Sequence, residues 1–178
     1  SGVMVEEVRH LDAFHGVLLQ TSGDVAVQLG DEEKIVLQEE DNILPLVETV
    51  VVDGVLKVRF KPSLSLIFKR HLSFVLTARS LDWVESDSSG EIDLPAMKVE
   101  QLTLATKSSG GIEAGKIETG ELTTQQTSSG KIELAGLDTV RWNAKLTVSG
   151  DLLVPEGRAQ QLTLRLTSSG AVAAAGVM

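Results

Sequence analysis

Gly90, Gly110, Gly130, Gly150 and Gly170 recur every twenty residues, each directly after a serine, and this strict period limits the fold more than any other feature. Other positions keep the same spacing. Leu102, Leu122, Trp142 and Leu162 align eight residues before a glycine, and Ile92, Ile112, Ile132, Leu152 and Val172 align two after it. Two positions further on stand Leu94, Ala114, Leu134, Val154 and Ala174, so each repeat alternates apolar and polar residues as a strand does. A unit of this length cannot bury its apolar face alone, whereas successive units coiled about one axis bury a continuous core. The expected fold is all-β, a parallel β-helix (β-solenoid) with rungs of about twenty residues. The spacing does not give the hand; right-handed crossovers dominate parallel sheets, so a right-handed coil is the expectation. Gly90, Gly110, Gly130, Gly150 and Gly170 are expected to be structural turn residues, needed where the corner demands a positive φ.

The first eighty residues read as less regular strands: 15–20, 24–29, 34–38, 46–52, 55–61 and 72–78. Asp53-Gly54 between two apolar runs predicts a hairpin with a type I′ turn. Residues 41–46 are the one candidate for a helical turn, and Pro62 to Lys69 reads as a loop. Thr21-Ser22-Gly23-Asp24-Val25 resembles a degenerate rung, so the stack extends into this half. The expectation is one domain over residues 1–178, with irregular strands and a hairpin in 1–80 and five regular repeats in 81–178.

Composition narrows the function. A net charge of −9 with no basic stripe opposes nucleic acid and anionic lipid. Four Phe, two Trp and no Tyr supply few platforms for sugar rings or bases. The chain has no cysteine and no apolar run near the roughly 20 residues of a membrane helix, so thiolate chemistry and direct membrane insertion are not expected. The Ser1-Gly2 start reads as a processed end or a cloning remnant.

No residues stand out as catalytic or cofactor-binding, and no cofactor is expected. The serines at 89, 109, 129, 149 and 169 lack a neighbouring base and read as a hydroxyl ladder bonding the turn backbone. Asp93, Glu113 and Glu133 form one acidic column. A cation could bridge it, but the column ends at Leu153 and the calcium-binding repeat of β-rolls is missing, so it reads as a solvated face. The clusters Asp31-Glu32-Glu33 and Glu39-Glu40-Asp41 read as soluble loops. Trp142 falls in a leucine column and is expected in the core. Trp83 shares a column with Thr103, Thr123 and Asn143 and is expected to face outward or to cover the hairpin. The alanine-rich last repeat has no cap, and an open solenoid end favours a homo-oligomer.

Arg9, Phe14 and Gly16 lead into a strand, followed by Gly23-Asp24-Val25, Gln28-Leu29-Gly30-Asp31, Asp41-Asn42-Ile43-Leu44 and Val50-Val51-Val52-Asp53-Gly54-Val55-Leu56. In this order, with recurrent Ser-Gly corners after them, they resemble the bacterial head-GIN domain family of putative auto-transporter adhesins. The resemblance implies a β-solenoid in an exported or lipid-anchored protein, hence the periplasm or cell surface, and carries over no catalytic or ligand-binding residue. The corners differ, being Ser-Ser-Gly here where relatives have Ser-Gly-Ser/Ala-Gly. The leading expectation is a non-enzymatic cell-envelope module, an adhesin or protein contact domain whose partner is a protein or a surface glycan. Two alternatives stand beside it: a polysaccharide-acting β-helix enzyme using the carboxylate column, and an extracytoplasmic sensory or regulatory domain.

Overall fold

Alternating strands with apolar residues in identical rows can bury them only by stacking rung on rung, and a computed structural model shows that arrangement. It describes residues 2–61, 71–147, 149–167 and 170–174. The expected loop from Pro62 to Lys69, the serines at 168 and 169, and the stretch from Ala175 onward lie outside the described residues. The strands are β1 (Met4–His10), β2 (Gly16–Leu19), β3 (Gly23–Leu29), β4 (Lys34–Glu40), β5 (Val47–Val52), β6 (Val55–Phe60), β7 (Leu72–Ala78) and β8 (Trp83–Ser86). They continue as β9 (Ile92–Leu94), β10 (Met97–Thr106), β11 (Ile112–Gln126), β12 (Ile132–Leu146), β13 (Asp151–Leu153), β14 (Gly157–Leu166) and β15 (Ala171–Ala173). A 3-10 turn, Leu44–Leu46, precedes β5. Among the described residues no helix is long and apolar enough to cross a membrane.

The chain is a β-solenoid with two faces. One takes β1, β4, β7, β3 and β9, continues through the first parts of β11 and β12, and ends in β13 and β15. The other takes β5, β6, β2, β8 and β10, continues through the later parts of β11 and β12, and ends in β14. The fifteen-residue strands β11 and β12 pass from one face to the other and pair in parallel, with Ile112 on Ile132 and Leu122 on Trp142. The twenty-residue columns therefore exist as in-register partners. The core runs along the axis and includes Val17, Leu19, Val25, Leu56, Val84, Ile92, Leu102, Ile112, Leu122, Ile132, Trp142 and Leu152, each at most 1% exposed.

The N-terminal strands lie close to expectation, apart from β1, which pairs antiparallel with β4. The hairpin is present as expected: β5 pairs antiparallel with β6, and Asp53 and Gly54 have φ of 51° and 76°, the left-handed pair that a type I′ turn requires. Its tip docks on the solenoid, where His15 N and Gly16 N donate to Gly54 O at 2.8 and 3.2 Å. The degenerate rung is real. β3 pairs in parallel with β9, and the Ser88 hydroxyl donates to Thr21 O at 2.6 Å.

Two expectations about the corners need correction. Among the described residues Gly54 is the one glycine with positive φ, so the repeated glycines are not there to supply it. The cause is close approach between rungs. A Cβ on Gly90, Gly110 or Gly130 would run into the carbonyl oxygen of the preceding corner (Gly23, Gly90 and Gly110), and one on Gly150 would lie 2.6 Å from Gly130 O. The serine ladder is also misplaced. Ser89, Ser109, Ser129 and Ser149 are exposed, and the hydroxyl that bonds the turn is that of Ser88, which accepts from Gly90 N at 3.2 Å. Beneath the corners runs a buried polar column of Ser86, Thr106 and Gln126, each at most 1% exposed. Ser86 Oγ donates to Gly90 O at 2.9 Å, and Gln126 Nε2 donates to Gly130 O at 3.0 Å and Asp151 O at 2.6 Å.

Arg9 of β1 ties the two faces together at the N-terminal end. Its guanidinium donates to Leu44 O and Val47 O, both at 2.8 Å, and to Thr49 Oγ1 at 3.2 Å. Replacing it with alanine strands two carbonyls in partly buried positions. Arg9→Ala is expected to cost about 2 kcal/mol, read as a fall of about 6 °C in the melting midpoint. Lysine, with no planar fork, should recover little of it.

Candidate functional site: an acidic corner and a polar face

Residues just after each corner glycine begin the first face, so their odd-numbered side chains point outward while Ile92, Ile112 and Ile132 point in. Asp93, Glu113 and Glu133 are successive partners in the parallel ladder, as the period requires. They line a shallow groove of about 370 Å³ with Leu94, Ala114 and Ala135. Among the described residues no three His, Cys, Asp or Glu side chains are grouped to hold a metal ion. The charge is met instead by Lys131, whose Nζ lies 3.0 Å from Glu133 Oε2.

One outward column nearer the glycines, sequence reasoning missed Glu91. It lies between Asp24 of β3 and Gly111, and its carboxylate lies across Gly111, where an added Cβ would meet Glu91 Oε2 at 2.9 Å. The doubled Gly110-Gly111, found in this rung alone, was the available signal. Burial, then the charges of Asp24, Glu113 and Asp93, pushes the Glu91 carboxyl above its ordinary value of 4.5, against the pull of Lys131. The folded chain thus holds this proton more tightly than the unfolded one. Stability from this group is present at low pH and is lost as pH rises through the folded pKa. Glu91→Gln should therefore melt higher than the parent at about pH 7.5, with the gain shrinking toward about pH 4.5. Thermal melts of both proteins across that range check the sign.

A second ionic cluster sits at the end of β8. Glu85 occupies an outward position shared with Ala105, Gln125, Lys145 and Arg165, yet it is only 5% exposed. Lys107 from the next rung reaches it, Nζ to Oε1 at 2.9 Å, and this contact with Glu85 raises the lysine pKa. Burial and then the nearby Glu85 charge raise that of Asp87, with Lys107 opposing. The histidines are scattered, each beside a carboxylate: His15 with Asp82 at 2.6 Å, His71 with Asp24 at 2.7 Å and His10 with Glu32 at 3.4 Å.

The other face presents a row of a different kind. Trp83, Thr103, Thr123, Asn143 and Thr163 are in-register partners on β8, β10, β11, β12 and β14. Trp83 heads the row at 38% exposed, and Trp142 lies in the core at 0%, donating from Nε1 to Thr124 Oγ1 at 3.1 Å. A depression of about 270 Å³ runs along Thr123, Asn143 and Thr163.

Comparison with known proteins agrees with this architecture. No curated protein matches the sequence. A putative adhesin from Bacteroides fragilis NCTC 9343 has a similar crystal structure, with a TM-score of 0.70 at 12% identity over 97% of each chain. Putative adhesins from Parabacteroides distasonis ATCC 8503 and Parabacteroides merdae ATCC 43184 give TM-scores of 0.67 and 0.64, at 13% and 15% identity over 96% and 95% of each chain. At these identities the likeness concerns the fold. A family profile described as "Putative auto-transporter adhesin, head GIN domain" matches residues 13–176, so the two-faced solenoid with its glycine corners belongs to that family.

Proposed function

We propose that this chain is a non-enzymatic module of the bacterial cell envelope, which contacts a protein or a surface glycan through the outward face of β8, β10, β11, β12 and β14. The row Trp83, Thr103, Thr123, Asn143 and Thr163 carries this reading. It sets uncharged hydrogen-bonding groups about 4.8 Å apart, with an exposed indole at one end. Such a row suits a long, repetitive surface, because hydroxyl and amide groups bond it and an indole packs against it. The family description as adhesins supports the same reading and an extracytoplasmic location. Strands from both halves of the chain enter one sheet, which supports residues 1–178 as one domain.

The test is a binding screen against bacterial surface glycans and purified envelope proteins, repeated with Trp83→Ala and Thr123→Arg. Loss of about tenfold or more in affinity, roughly 1.4 kcal/mol, with unchanged melting supports the face. Binding unaffected by either variant, or cleavage of a glycan, overturns it. The groove of Asp93, Glu113 and Glu133 favours the polysaccharide-acting enzyme as second reading. In that case replacing the three carboxylates with amides abolishes the cleavage.

A further inference from the structure

The two ends of the solenoid differ in charge, and among the described residues each ends in a strand paired on one side only. β14 pairs with β12 and, among the described residues, with no other strand. Leu162 occupies the inward column of Leu122 and Trp142, which are 0% exposed, and Leu164 and Leu166 extend those of Ala144 and Leu146. The three leucines are 45%, 40% and 47% exposed. At the opposite end β5, among the described residues, pairs with β6 alone. Val52 and Val55 flank the two-residue turn, so alternation directs the backbone groups of Thr49 and Val51 away from β6. Its outward side chains include Val50 and the 41% exposed Val52.

Charge and direction then choose how two such ends meet. Residues 1–61 hold twelve acidic side chains against five basic ones, whereas after Glu156 there is no acidic residue, only Arg158 and Arg165. Two C-terminal ends brought together would set four arginines in one contact, and two N-terminal ends would oppose acid to acid. An N-terminal end on a C-terminal end matches opposite signs. The backbone agrees. From β6 to β14 every step on this face is parallel, while β5 runs antiparallel to β6. A copy stacked in the same orientation therefore offers β5 to β14 as an antiparallel neighbour.

We propose that copies of this chain associate head to tail, with β14 of one pairing antiparallel to β5 of the next and its leucines covered by the incoming end. Such a contact uses different surfaces on the two copies, so it leaves a free head and a free tail and propagates as a linear assembly. It does not depend on the polar face, since a chain that binds no envelope partner stacks equally well.

Three forms of the protein test this by analytical ultracentrifugation between about 10 µM and about 1 mM. They are the parent, a tail variant Leu164→Asp, and a head variant carrying Val50→Arg and Val52→Arg. Val51→Pro, which removes an outward N–H and no bond to β6, replaces the head variant if that one melts early. The parent should grow with concentration beyond twice the monomer mass, less so in high salt, while each variant alone stays monomeric. An equimolar mixture of tail and head variants should give a one-to-one dimer that grows no further. A parent that stays monomeric overturns the proposal. So does one that stops at a dimer which the head variant still forms, because that dimer is tail to tail.

Discussion

Replacing Gly110 with alanine is expected to lower the melting midpoint by about 10 °C, or to leave no folded protein. The new Cβ would run into the carbonyl oxygens of Gly90 and Ser88 and lie 2.6 Å from Ser86 Oγ. These atoms cannot retreat cheaply. Ser88 O accepts from Gly110 N at 2.8 Å, and Ser86 Oγ is held on Gly90 O, so yielding breaks bonds in two rungs at once. Overpacking of this kind costs about 3 kcal/mol or more. The control is Gly136→Ala within β12, where the nearest atom to an added Cβ is Lys116 Cγ at 3.3 Å, the reach of a flexible side chain. It should melt within about 2 °C of the parent. Equal losses from both variants would refute close packing as the reason for the glycine period.

Trp142→Ala carries the other large effect. The indole is wholly buried between Leu122 and Leu162 of the adjoining rungs and bonds Thr124. Its removal opens a cavity in the axis of the solenoid and should cost about 4 kcal/mol. Trp142→Leu, which restores the residue of the neighbouring rungs, should recover about half of that. Fluorescence gives a second check. With Trp83 as the remaining indole, emission should shift to the red of the parent, since Trp83 is 38% exposed. Emission unchanged in wavelength would mean that Trp142 is not the buried indole.

Much of the fold is legible because parallel stacking forces one chemistry on every twentieth position. Ile92, Ile112 and Ile132 must all be apolar once one of them is inside, and a column survives any local irregularity. β1 is not legible, since Met4–His10 is largely exposed on both sides and shows no alternation. The glycine column is visible while its cause is not. A positive φ and a carbonyl where a Cβ would sit both select glycine, and only coordinates separate them. The site is legible to a lesser degree. The register of Asp93, Glu113 and Glu133 follows from the period, but Lys107 reaches Glu85 from the next rung and two positions further along, an offset that no repeat encodes. The outward row from Trp83 to Thr163 was visible as a column, although nothing in its composition marks it as a contact face.

Identical rungs carry a hazard during folding. A strand that docks one rung too early or too late still finds isoleucine on isoleucine and glycine under glycine, so the apolar columns alone do not distinguish neighbouring registers. The buried column Ser86, Thr106, Gln126 and Leu146 does, because no two of its members have the same size and bonding capacity. Gln126 in particular bonds Gly130 O at its own corner and Asp151 O at the corner of the next rung. A docking slipped by twenty residues would set that amide beside Ser86 or Leu166 in place of Thr106 and Leu146, at about 1–3 kcal/mol for each polar group left unbonded. The polar column thus acts as a checksum for a repetitive chain, telling otherwise interchangeable rungs apart before the stack closes.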